Sequence, residues 1–120
     1  MKSKELDILK AFLKKTLLTN VTVYELKSIS PFFDYSIVCD ATNNRLAKSV
    51  VDNLRDEAEK NNLVVRGYSK EDNSTWFYID LNSIIVHIFL GNARREYNLD
   101  GLYFGLPKEA LEWKEESLKL

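Results

Sequence analysis

The sequence predicts an α/β domain whose single sheet mixes parallel and antiparallel strands. Three stretches predict it: an amphipathic helix near the N-terminus, a strand–helix–strand unit over residues 35–66, and two consecutive apolar strands over 76–89. With 120 residues, 45% of them hydrophobic, the chain can fill one core but not two. One domain over residues 1–120 is therefore expected, with the tail from about Pro107 the part least tied to it.

Leu6, Leu9, Phe12, Leu13 and Leu17 recur at three- and four-residue steps, with Lys10, Lys14 and Lys15 on the other side. That period predicts a helix from about Lys4 to Leu18. Val21 to Leu26 alternates β-branched and aromatic residues and predicts a strand; Ser28-Ile29-Ser30-Pro31 breaks it. Tyr35 to Cys39 is short and apolar, the pattern of a buried strand, and Asp40 to Asn44 supplies helix-capping oxygens. A helix follows to about Asn61, with Leu46, Val50 and Leu54 one turn apart. Leu63-Val64-Val65 reads as its partner strand, parallel to Tyr35–Cys39 through a right-handed crossover. Gly67 to Ser74 is polar and reads as a loop.

Trp76 to Leu81 and Ile84 to Phe89 are two strong strand patterns joined by Asn82-Ser83, a hairpin connection. Ala93 to Tyr97 suits a short helix, ended or bent by Asn98-Leu99-Asp100-Gly101. Beyond Pro107, Ala110, Leu111, Trp113 and Leu118 suit one more helix.

With Asn82 and Ser83 in the turn, Asp80 faces Ile85, Tyr78 faces His87 and Trp76 faces Phe89, all on one side of the hairpin. Phe77, Ile79, Leu81, Ile84, Val86 and Ile88 make the other side uniformly apolar, so helices must cover that one. A tryptophan or phenylalanine in a strand is usually core, and a histidine among apolar neighbours usually bonds one of them. Here one face gathers three rings, an imidazole and a carboxylate while the other is already a complete apolar face. The first therefore reads as a recognition surface.

Several function classes find no residues to carry them. Seventeen basic residues against 18 acidic ones generate no field to gather phosphate backbone. One cysteine, Cys39, and one histidine cannot form an intramolecular disulfide or the usual four-ligand zinc site; Cys39 reads as a small hydrophobe in a buried strand. The apolar run Ile84 to Leu90 is far shorter than a membrane span of roughly 20 residues. No signal or transit peptide is read, and a cytoplasmic, reducing compartment is expected. No phosphate-binding glycine loop or nucleophile elbow occurs, and no cofactor, metal site or catalytic residue is expected.

Asp34-Tyr35-Ser36-Ile37-Val38, with Asn43-Asn44-Arg45 opening a long amphipathic helix, resembles the Asp-Tyr-Phe-Val-Ile strand and following helix of the ribosomal silencing factor (Iojap) family. A second block is more specific. Trp76-Phe77-Tyr78-Ile79-Asp80, then Ile85-Val86-His87-Ile88-Phe89, then Arg94 or Arg95, Tyr97-Asn98-Leu99 and Leu102, is similar to that family's Trp-Val-Leu-Leu-Asp, Val-Val-His-Ile-Phe and Arg-x-x-Tyr-x-Leu-x-x-Leu signature. The match runs from about Leu6 to Tyr103. It implies a mixed sheet of about five strands with flanking helices, related to the nucleotidyltransferase fold without its catalytic acids. It further implies a translational repressor that docks on large-subunit ribosomal protein fourteen and sterically blocks joining of the small subunit, with little direct nucleic-acid contact. The expected partner-binding residues are Trp76, Tyr78, Asp80, His87, Phe89, Arg95, Tyr97 and Leu99. Two departures stand out: Asn82 and Ser83 replace the family's Gly and Asp in the hairpin turn, and Thr42-Asn43-Asn44 replaces Gly-Asn-Ser after the central strand. Asp80 and Glu96 are then the main acidic contacts. Two rival readings are a nucleotide-handling enzyme on a degenerate scaffold, using Asp40 and Asp80 as metal ligands, and a homodimeric adaptor using the same aromatics.

Overall fold

The computed structural model describes residues 3–69 and 71–111. Helix α1 (Lys4–Lys14) starts where the Ser3 side chain accepts a hydrogen bond from the Leu6 amide, and it buries Leu6, Leu9 and Leu13 completely. It stops short of the expected Leu18. The Thr16 hydroxyl donates to the Leu13 carbonyl and accepts from the Leu18 amide, which satisfies the helix end and turns the chain away. Leu18 is then buried, while Leu17, expected on the apolar stripe, is 71% exposed.

Strands β1 (Thr19–Glu25) and β2 (Tyr35–Ala41) pair antiparallel, and helix α2 (Asn44–Lys60) follows with Asn43 Oδ1 capping the Leu46 amide at 2.8 Å. The short β3 (Gly67–Tyr68), β4 (Trp76–Asp80) and β5 (Ile84–Leu90) come next. Two short helices, α3 (Ala93–Tyr97) and α4 (Leu99–Leu102), and a final strand β6 (Lys108–Leu111) complete the order. The sheet runs β3-β4-β5-β2-β1-β6, with β2 and β5 parallel and every other pair antiparallel. It is the mixed sheet expected, extended to six strands.

Two expectations fail for non-local reasons. Residues 63–65 form no strand, because both edges of β2 are taken, by β1 and β5; the chain pairs only afterwards, Gly67 with Asp80 and Tyr68 with Ile79, antiparallel to β4. The parallel partner of β2 is thus β5, and β3 occupies part of the expected loop. The tail from Pro107 is no helix over its described part. β6 zips onto the outer edge of β1 (Val21 with Leu111, Tyr24 with Lys108), and the Pro107 carbonyl accepts from the Glu25 amide at 2.9 Å. An edge strand's free amides and carbonyls outweigh the weak helical pattern. Trp113 and Leu118 lie outside the described residues.

Two cores sandwich the sheet. On one face α1 and α2 cover Phe77, Ile79, Leu81, Ile84, Val86 and Ile88, none more than 5% exposed. Each such side chain contributes about 1.5–3 kcal/mol. On the other face α3, α4 and Tyr103 fold back over Tyr24, Leu26, Val38 and Phe89, leaving part of the hairpin uncovered.

Candidate functional site

The hairpin turns at Asn82, whose φ of 75° asparagine tolerates better than most residues. The turn is tied by Leu81 N–H to the Ile84 carbonyl and by Asn82 N–H to Asp80 Oδ1, each 2.9 Å. The register follows: Trp76 opposite Phe89, Tyr78 opposite His87, Asp80 opposite Ile85, as the alternation predicts. Period two then places all six on the face away from α1 and α2.

On that face the Trp76 indole N–H donates to His87 Nδ1 at 3.1 Å. The Trp76 ring also meets Phe89 at 5.1 Å and Tyr97, delivered by α3, at 4.5 Å between centroids. Aromatic contacts in this range stiffen a cluster beyond the area they bury. Burial pushes the His87 imidazole down to about 4, so it is neutral at physiological pH.

The candidate residues separate into floor and surface. Phe89 is wholly buried and His87 is 7% exposed. Both were expected on the recognition surface; Phe89 is instead its floor, because α3 and α4 fold onto it with Ala93, Leu99 and Tyr103. Tyr78 (39% exposed) and Tyr97 (54%) stand in solvent, and Trp76 is half-buried, less accessible than either. Asp80 is half-exposed and caps the turn. Leu99 is half-buried against the second core. Arg95 is exposed and lies apart from the rings, beside a polar depression formed with Asp40, Arg94, Asn98 and Asp100. Trp76 and Tyr78 also line a cleft of about 620 Å³ with Arg66, Tyr68 and Glu71.

The residue that sequence reasoning undervalued is Arg94. Its guanidinium forks onto Asp100 (Nε to Oδ2 2.8 Å, Nη2 to Oδ1 3.1 Å) and donates to Thr22 Oγ1 at 3.2 Å and the Asn20 carbonyl at 2.6 Å. Asp40 Oδ2 lies 3.4 Å from Nη1. A register shift in β1 between Thr19 and Thr22, with Asn20 at φ 50°, frees that carbonyl from the ladder. Tyr24 Oη donates to the same Asp100. The Arg94 hydrogen bond, opposed by partial burial and helped by Tyr24, holds the Asp100 carboxyl below its usual range. Burial followed by the Asp100 bond pushes the Tyr24 hydroxyl up to about 12. Arg94 thus staples α3 and α4 onto β1 and β2, which sets where Tyr97 meets Trp76.

The carboxylates required by the enzyme reading are not brought together. Asp40 sits on the Trp76–Phe89 rung and Asp80 on the Ile85–Ser36 rung, four residues or about 13 Å along the strands and two strands apart. Among the described residues no group of three or more His, Cys, Asp or Glu is arranged to hold a metal ion. Cys39 is fully buried and its thiol is pushed up to about 12 by that burial.

The sequence matches, over residues 1–119, the profile of the family described as ribosomal silencing factor during starvation. This chain belongs to that family. A ribosomal silencing factor of Bacillus subtilis is 24% identical over 94 residues, covering 78% of this chain and 80% of its own length. That of Haemophilus influenzae is 30% identical over 85 residues, 71% of this chain and 83% of that one. A crystal structure from Bacillus halodurans superposes with a TM-score of 0.77 at 21% identity, covering 92% of this chain and all of the other, which shows the shared fold. In the Arg-x-x-Tyr-x-Leu-x-x-Leu pattern of the ribosomal silencing factors, Arg94, Tyr97, Leu99 and Leu102 hold the spaced positions. They do different things here: Arg94 staples, Tyr97 stacks, Leu99 packs, and Leu102 is 71% exposed.

Proposed function

We propose that this chain represses translation by docking on the large ribosomal subunit through ribosomal protein fourteen, so that its bulk keeps the small subunit from joining. The observation that carries this reading is the aromatic strip of half-buried Trp76, exposed Tyr78 and exposed Tyr97, the last brought by α3 onto the open face of a hairpin whose back is fully packed. Rigid rings beside a covered core lose little entropy on binding and give up much apolar surface, the profile of an interface hot spot. Asp80 on the strip's own strand, and Arg95 from the polar depression beyond it, orient the partner by charge. Phe89 supports the strip from beneath, and Leu99 does so from the side. A formal net charge of −1 favours a protein contact over ribosomal RNA. Among the described residues no helix is long and apolar enough to cross a membrane, and a cytoplasmic site of action accords with a ribosomal partner.

Trp76→Ala and Tyr78→Ala test the reading by co-sedimentation with purified large subunits. Each should weaken binding at least tenfold, the scale of a hot-spot side chain, with the circular dichroism spectrum retained. Wild-type binding by both variants would reject the strip as the docking surface.

A further inference from the structure

We infer that His87 hands the docking partner a single hydrogen-bond donor, its Nε2–H, and that this point of the surface selects a protein partner presenting a carbonyl or carboxylate oxygen. The inference rests on the docking role proposed for this face. Indole nitrogen can only donate, so Trp76 Nε1, 3.1 Å from His87 Nδ1, requires Nδ1 to be the unprotonated, accepting nitrogen. In a neutral imidazole the proton must then sit on Nε2. Among the described residues Nε2 has no hydrogen-bond partner, and the buried side-chain nitrogen and oxygen atoms without one are Tyr35 Oη and Ser36 Oγ alone. Nε2 therefore keeps a solvent-accessible face although the residue as a whole is 7% exposed.

The surroundings make that donor selective. His87 stands opposite Tyr78 and beside the Trp76 ring, so a partner seated on the aromatic strip shuts Nε2 off from solvent. A partner offering no acceptor leaves the N–H dehydrated and unpaired, and one offering an ammonium or guanidinium sets donor against donor. Turning the ring over to offer a lone pair would break the Trp76 bond, which holds one tautomer and one orientation. The same bond consumes the indole N–H, so Trp76 contributes ring surface and His87 contributes the polar contact.

Two substitutions separate the two nitrogens. An asparagine amide reaches the Nδ1 position and a glutamine amide the Nε2 position, so His87→Asn keeps an acceptor for Trp76 and loses the outward donor, whereas His87→Gln keeps the donor. Calorimetric titration with recombinant large-subunit ribosomal protein fourteen from the same organism should show H87N about tenfold weaker than wild type and H87Q within about threefold of it. Wild type binding with H87N unimpaired overturns the donor role alone; wild type failing to bind overturns the docking reading beneath it. Nitrogen-15 NMR of the free wild-type protein gives an independent check, since the chain has one histidine and one set of imidazole signals. An unprotonated Nδ1 with a protonated Nε2 at neutral pH is expected, and the opposite tautomer overturns the inference.

Discussion

Replacing Arg94 by alanine removes a side chain that joins α3 to α4 through the Asp100 fork and ties both to β1 through the Asn20 carbonyl and Thr22 Oγ1. Two of these go to a carboxylate, and charge-assisted bonds contribute roughly 1.5–3 kcal/mol each. Full value is not expected, because the Asp100 side chain is 33% exposed and solvent screens the pair; Tyr24 also remains as a donor to Asp100. Adding the two bonds to β1 and discounting for solvent gives a loss of about 3 kcal/mol. For a domain of this size that lowers Tm by about 12 °C. Arg94→Lys keeps the charge but not the fork and should cost about half as much, while the exposed Arg95→Ala should stay within about 0.5 kcal/mol of wild type. Urea unfolding followed by tryptophan fluorescence, with calorimetric melting in parallel, measures all three. Equal effects at positions 94 and 95, or an Arg94→Ala midpoint indistinguishable from wild type, would refute the staple.

The other predictions concern acid, alkali and the α4 cap. His87 titrates near 4 when folded and 6.5 when unfolded, so the unfolded chain alone takes up the proton between those values. Stability is then complete above about pH 6.5 and falls by about 2.5 kcal/mol by pH 4.5; His87→Gln should flatten that slope, and an unchanged slope would count against the buried neutral imidazole. Asp100, held low chiefly by Arg94, should add its own loss only as pH falls below its ordinary value of 3.8. Cys39, pushed up to about 12 by burial, should react with a thiol reagent in native protein only as fast as the chain unfolds, and rapid labelling at pH 8 would place the thiol elsewhere. A Cβ at Gly101 would fall 2.3 Å from Asn98 Nδ2, so Gly101→Ala should displace the Asn98 cap of α4 and cost about 1 kcal/mol in the same urea assay.

What the residues revealed in advance divides along the line between local and distant causes. The hairpin was legible to the level of register, because two alternating strands and a two-residue turn leave one pairing that keeps Phe77, Ile79, Val86 and Ile88 together. Helix α2 was legible from its asparagine cap and one-turn apolar spacing. Residues 63–65 carry as much β-propensity as a strand needs, yet pairing depends on a free edge, and β5 from 20 residues downstream holds the one they would use. The site shows the same limit. Alternation places Phe89 on the open face correctly but is blind to the return of α3 and α4 across it. Likewise two adjacent arginines look alike as a dipeptide, and only the bulge at Asn20 and the position of Asp100 give Arg94 its partners.

The pairing of β6 with β1 has a consequence for how the molecule is made. During synthesis α1, β1, β2 and the hairpin are made before residues 108–111, so the outer rim of β1 is at first without the partner for its amides and carbonyls. Until the last strand arrives, that rim is a template for any extended peptide nearby. The nascent domain therefore passes through a window of stickiness that closes only when the late strand binds, and a ribosome stalled before that point would display the unfinished sheet.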